Sequence, residues 1–178
     1  MMTLRTYIMH VEDLPGVLNR VTSLFRRRGY NIESLTVGRT ENPGVSRMTI
    51  VMEADDDAAR RIEANLYKLV NVLKVEDTTR RPCVTRELAL IKVRTSNQSQ
   101  RAHVMQLAEV FRARVIDVAP EALIFEITGT RDKIEGLAGV LAEYGIVEMV
   151  RTGAVAMLRS APEQVNEIQE EPRATSAA

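Results

Sequence analysis

Two histidines, His10 and His103, one cysteine, Cys83, and the run Asp55-Asp56-Asp57 are the residues that could carry acid–base, nucleophilic or metal chemistry in this 178-residue chain. Their spacing gives them little to work with. The His and Cys positions match no zinc pattern, so partly exposed structural or surface roles are expected for both histidines, with a minor binding role left open to His10. Asp55-Asp56-Asp57 opens a helical pattern, where carboxylates cap free N–H groups and face the positive end of the dipole. Ser23, Ser34 and Ser46 have no histidine and acid spaced for a triad. Cys83 lies in a polar stretch without a base to activate it. The glycines at 129, 136, 139, 145 and 153 follow neither G-x-G-x-x-G nor the P-loop spacing. No catalytic or metal-binding residues are therefore expected.

Binding chemistry is better served. Asp13-Leu-Pro-Gly-Val-Leu-Asn-Arg-Val reads as a helix start, with Asp13 as N-cap and Pro15 in the first turn. A helix start offers unpaired N–H groups to a small carboxylate, and Gly16 lets a ligand approach the main chain. Arg28-Gly-Tyr-Asn-Ile-Glu-Ser-Leu then reads as a helix stop at Gly29 and a strand entry. Asn31 can donate and accept hydrogen bonds there. Each piece alone is ordinary punctuation. Together they form a candidate amino-acid pocket.

Composition narrows the setting. The 24 basic residues equal the 24 acidic ones, which gives no global pull toward nucleic acid or an anionic membrane. A base-stacking sheet is also disfavoured. Phe25 and Phe111 fall on helix stripes, leaving Tyr7 and Phe125 as the main strand aromatics. A single cysteine excludes an intramolecular disulfide and suits a reducing compartment. No apolar run is long enough to span a bilayer, and residues 1–10 do not resemble a signal peptide. A cytoplasmic protein is the expectation.

The elements that position the candidate pocket read in order. Residues 3–11 are rich in strand formers. Val17, Leu18, Val21, Leu24 and Phe25 stripe one helical face. Residues 32–40 and 45–53 form strands around the turn Asn42-Pro43-Gly44. Ile62, Leu66 and Leu69 stripe a second helix, and residues 70–76 form a fourth strand. The order is β-α-β-β-α-β, the ferredoxin-like arrangement. After a polar stretch with Pro82, the order repeats. Strands are expected at 87–94, 115–118, 123–128 and 146–152, with 153–158 extending or adding to the last. Ser96 to Gln100 reads as a loop, and helical stripes run through Val104, Leu107, Ala108 and Phe111, then Ile134, Leu137, Ala138 and Leu141.

The fold class is therefore α+β, two tandem ferredoxin-like βαββαβ domains. The boundaries are 1–78, a linker at 79–85, a second domain at 86–159, and a disordered tail over 160–178, where Pro, Glu, Gln, Ser and Ala dominate. In the third strand Met48, Ile50 and Met52 face one side and Val51 the other. An apolar second face calls for a cover, so a homodimer or larger assembly is predicted. Arg26-Arg27-Arg28 reads as a solvated helix end complementing the dipole, with a docking patch for an acidic partner as the sharper alternative.

Asp13-x-Pro-Gly-Val-Leu-x-Arg-Val, the run from Arg28 to Val37, Ser46-Arg-Met-Thr-Ile and the segment from Leu66 to Val75 resemble the regulatory (small) subunits of acetolactate synthase. Arg86-Glu-Leu-Ala-Leu-Ile-Lys-Val, Phe111-Arg-Ala-Arg-Val-Ile-Asp-Val and Glu126-Ile-Thr-Gly-Thr extend the resemblance to about residue 159. The resemblance implies that the first domain is an ACT domain. It implies a chain without catalytic residues that activates the catalytic large subunit and confers feedback inhibition by valine in branched-chain amino acid biosynthesis. Thiamine diphosphate, Mg and FAD would then sit on the large subunit and none on this chain. The amino acid would bind where two ACT domains meet. Asp13, Gly16 and Val17 would line the helix-start side, and Asn31 and Ile32 the facing strand. Asp13 stands where many relatives carry Asn. A free-standing ACT-type amino-acid sensor with another target is the alternative reading.

Overall fold

A computed structural model describes residues 2–159, so the tail expected over 160–178 lies outside the described residues. The first unit comprises β1 (Thr3–Glu12), α1 (Val17–Arg27), β2 (Ile32–Arg39), β3 (Val45–Ala54), α2 (Asp56–Leu66) and β4 (Val72–Asp77). Its antiparallel sheet has the order β2-β3-β1-β4. The second unit repeats the plan with β5 (Cys83–Arg94), α3 (Gln98–Val110), β6 (Arg114–Ala119), β7 (Ala122–Gly129), α4 (Arg131–Leu141) and β8 (Ile146–Arg151). Its sheet runs β6-β7-β5-β8, the same order. A short 3-10 turn at Ala142–Tyr144 follows α4, and β9 (Val155–Leu158) ends the described chain.

Period-two alternation sends Tyr7, Met9 and Val11 of β1 and Met48, Ile50 and Met52 of β3 toward the helices, where Val21, Phe25, Ile62 and Leu66 meet them. Ile91, Val93, Leu123 and Phe125 play the same part in the second unit, under Val104, Ile134 and Leu137. The helix ends are built locally. Gly29, at a positive φ of 71°, closes α1 in a Schellman motif, with its N–H on Arg26 O and that of Tyr30 on Phe25 O. Asp55 caps α2 by accepting the N–H of Ala58 at 2.7 Å. Asp56 instead pairs with Arg5, a nearly buried cation, and that hydrogen bond lowers its carboxyl pKa.

Several expectations are corrected. Asp13 is not the N-cap of α1. Gly16 holds that place at φ 84°, and Pro15 sits in the turn before it. Leu18 leaves the core stripe and is 42% exposed. Val70 lies before β4 rather than in it, and α3 starts at Gln98, capped by Asn97, inside the expected loop. β5 begins at Cys83, four residues before the expected strand, because residues 83–86 pair with β9 while 87–94 pair with β7.

That extra pairing also covers a face. On the side of the first sheet away from its helices, Ile8, Thr49 and Val51 are buried within the single chain. β9 is bonded there. Ser34 Oγ accepts the N–H of Ala154 at 2.8 Å, Thr36 Oγ1 donates to Ala154 O at 2.9 Å, and Arg47 donates to Ala156 O. Ala154 and Ala156 are themselves buried. Val51 therefore does not require a second copy to cover it.

The connection between β8 and β9 depends on Gly153. Its φ is 83°, and a Cβ there would collide with Ser34 Oγ, the atom that holds Ala154. Gly153→Ala should cost about 1–3 kcal/mol through left-handed strain and loss of this bond. Hydrogen exchange checks it. The amides of residues 155–158 should lose protection while those of β7 keep theirs.

Candidate functional site

The helix start at Gly16 is open main chain. β1 ends at Glu12, and the Asp13 N–H is bonded to Gly44 O at 2.8 Å, which ties this loop to the turn between β2 and β3. The Asp13 carboxylate accepts from Ser46 Oγ at 3.2 Å and from Arg39 Nε at 3.1 Å. It is thus turned toward the neighbouring hairpin instead of capping the helix. No side chain caps α1, and no heavy atom lies within 4 Å of where a Gly16 Cβ would be. The Val17 N–H closes a turn on Leu14 O at 3.4 Å, and the next first-turn N–H groups, at the positive end of the helix dipole, border this space. Leu14 and Leu18, 56% and 42% exposed, flank it with apolar surface. Val17 points the other way, into the core, at 4% exposed.

Asn31 and Ile32 stand at the far end of α1. Asn31 is exposed and its side chain makes no hydrogen bond among the described residues. Ile32 packs half-buried against the first core, opposite Met52. An eleven-residue helix separates Gly16 from Asn31, about 16 Å at 1.5 Å per residue. One chain therefore brings Asp13, Gly16 and Val17 together at one end and Asn31 and Ile32 together at the other, and does not join the two sets.

A cavity of about 500 Å³ lies where the two units meet. Glu33, Ser34 and Val51 line it from the first unit, and Glu87, Arg131 and Arg151 from the second. Glu87 is nearly buried and accepts from Arg151 Nε at 2.9 Å. Arg131 donates to Glu135 at 2.7 Å. Both arginines of this cleft are paired with carboxylates within the chain, which suits a seam between units. Ser34, Thr36, Arg47 and Gly153 were not singled out for this seam by sequence reasoning. Their partners lie more than 100 residues away, beyond any local pattern.

The residues that could do chemistry are dispersed. Cys83 is half-buried at the start of β5, with Sγ 3.7 Å from Thr85 Oγ1. His103 is exposed in the middle of α3, its Nδ1 2.6 Å from Tyr144 Oη. Among the described residues no group of three or more His, Cys, Asp or Glu side chains is placed to hold a metal ion, and no helix is long and apolar enough to cross a membrane.

His10 is half-buried on β1, with Nδ1 shut off from solvent and unbonded among the described residues. Arg47 and Lys74 are its cross-strand neighbours. Burial first, and Arg47 second, push its pKa below the ordinary 6.5, with Lys74 adding and Glu76 and Glu41 opposing. The unfolded chain therefore takes this proton first. Stability should be full above about pH 6.5 and fall as pH drops from there toward the depressed folded value. Urea unfolding of wild type and His10→Gln on both sides of that pH checks the sign. The variant should lose part of the acid sensitivity.

Comparison with known proteins covers both units. The family model described as an AHAS small subunit-like ACT domain matches residues 8–74, and the one described as the small subunit of acetolactate synthase matches residues 86–160. The chain is 46% identical over 149 residues to a probable acetolactate synthase small subunit of Methanothermobacter thermautotrophicus, covering 84% of this chain and 89% of that one. It is 48% identical over 149 residues to the acetolactate synthase small subunit of Mycolicibacterium smegmatis, covering 84% and 87%. Among solved structures, the acetolactate synthase small subunit of Thermotoga maritima superposes with a TM-score of 0.81 at 43% identity, covering 89% of this chain and 99% of that one.

Proposed function

We infer the function from one premise: the chain belongs to the acetolactate synthase small-subunit family. We propose that it is a regulatory subunit with no catalytic residues of its own. It binds the catalytic large subunit in the cytoplasm, raises its activity and conveys feedback inhibition by valine in branched-chain amino acid biosynthesis. Thiamine diphosphate, Mg and FAD belong to the large subunit in this reading.

The observation that carries the regulatory site is the uncapped start of α1 at Gly16, open to solvent and flanked by exposed Leu14 and Leu18. Main-chain N–H groups there would take the carboxylate of valine, and the leucines its branched side chain. Asp13 has both oxygens engaged by Arg39 and Ser46, so its share is to fix the loop and set the field felt by the ammonium. Asn31 completes the site from a second copy, since α1 holds it out of reach within one chain. This gives the homodimer a task. A ligand shared by two copies stabilises one dimer arrangement over others, and the catalytic partner responds to that difference.

The test is a colorimetric acetolactate assay of the large subunit with and without this chain, and with and without valine. Activation by the chain and its loss on adding valine are expected. Valine binding without any effect on the large subunit would mark the chain as a free-standing amino-acid sensor. No valine binding at all would remove the proposed site.

A further inference from the structure

We propose that the basic groove between the C-terminal turns of α1 and α2 is a docking surface for an acidic segment of the catalytic large subunit. The inference rests on the regulatory reading above, because only a chain that must find a partner has use for it.

The groove, about 230 Å³, is floored by Leu24 and Leu69 and walled by Arg20, Arg27, Arg28 and Lys68. The chain as a whole is neutral, with 24 charges of each sign, so four cations at one groove are a local segregation of charge. Several arginines elsewhere in the fold meet carboxylates. Arg5 pairs with Asp56 and Asp77, Arg114 with Glu126, and Arg151 with Glu87. Among the described residues none of the four groove cations has such an ion pair. Arg28 donates to the amide oxygen of Asn65 at 3.3 Å and Arg20 to that of Asn71. Amide oxygens fix the positions of these side chains without neutralising their charge.

The helix dipole explains only part of this arrangement. Arg27 and Arg28 suit the negative end of α1. Arg20 lies one turn from the positive end, where a cation is disfavoured, yet Asn71 holds it at the groove. Lys68 comes from beyond the end of α2. The groove lies on the helix side of the first sheet, away from the face that β9 covers, and the other described residues leave it open. Its apolar floor argues for a peptide over a small anion. A phosphate has no use for Leu24 and Leu69, whereas a segment with carboxylates flanking one apolar side chain satisfies walls and floor together. Exposed charge pairs are individually weak, so the surface gains from having four, and its main effect is on association rate and specificity.

The test compares wild type with the double variant Arg27→Glu/Lys68→Glu, as full chains, by titration calorimetry against the large subunit at low and high salt. Both side chains are exposed, so circular dichroism should show an unchanged fold. Wild-type association should weaken steeply as salt rises. The double variant should bind at least tenfold more weakly at low salt and show little salt dependence. Its valine binding, measured without the large subunit, should match wild type. A double variant with wild-type affinity and salt dependence overturns the groove proposal alone. Wild type that fails to associate with the large subunit overturns the regulatory reading, and this partner with it.

Discussion

Gly16→Asp is expected to abolish valine binding while leaving the fold in place. The affinity loss should be at least about a hundredfold, equivalent to about 2.7 kcal/mol. Two effects act together. The new carboxylate competes for the first-turn N–H groups, and it repels the ligand carboxylate in the same small volume. The fold survives because nothing lies within 4 Å of the new Cβ. The remaining cost is left-handed strain at φ 84°, about 1–2 kcal/mol, against a typical domain stability of about 5–15 kcal/mol. Gly16→Ala separates the causes, since it introduces the strain without the charge and should keep most of the binding. Titration calorimetry with valine, beside circular dichroism, reads both variants. An Asp variant that binds like wild type would move the site away from the start of α1.

Phe125→Ala is expected to melt the second unit well before the first. Phe125 is fully buried in the middle of β7, opposite Ile91 on one side and Val115 on the other. Truncation there costs about 3–5 kcal/mol, most of the margin available to a unit of about 75 residues. In a unit of that size each kcal/mol moves the melting temperature by about 4–8 °C, so a fall of more than about 12 °C is expected. The buried cluster around Phe125 shares no residue with the one around Ile50. Calorimetry should therefore resolve two transitions in the variant, with valine binding kept until the second. A single transition, displaced as a whole, would show that the clasp of β9 on β2 and β3 couples the units into one cooperative body.

The repeated element order was legible because helices and strands declare themselves through short-range periods. Val21 and Phe25 on α1, or Met48, Ile50 and Met52 on β3, need only their neighbours in sequence to show which face is buried. The same reasoning failed where a distant partner decides. Residues 83–85 follow Pro82 in a polar stretch and look like a linker. They become strand because β9, some 70 residues later, supplies the missing ladder. Leu18 fits the apolar stripe of α1 by spacing, yet it is left exposed beside Gly16.

The candidate site divides in the same way. From Pro15-Gly16 and Gly29-Tyr30-Asn31 alone, the sequence determined that a helix starts there and that a strand follows its stop, because turns and helix stops are set by the conformational limits of a few adjacent residues. It also placed Asn31 and Ile32 at that strand entry. Only the tertiary structure decided what Asp13 does. Ser46 and Arg39 come from across the sheet and draw its carboxylate away from the helix end, leaving α1 without a side-chain cap. The apolar stripe of α1 already turned Val17 toward the core, where it is buried, and the length of that helix sets Gly16 and Asn31 about 16 Å apart. The physical reason is that helix ends and stripes are set by a few neighbouring residues, whereas the Asp13 carboxylate bonds the donors that the fold brings to it from the next hairpin.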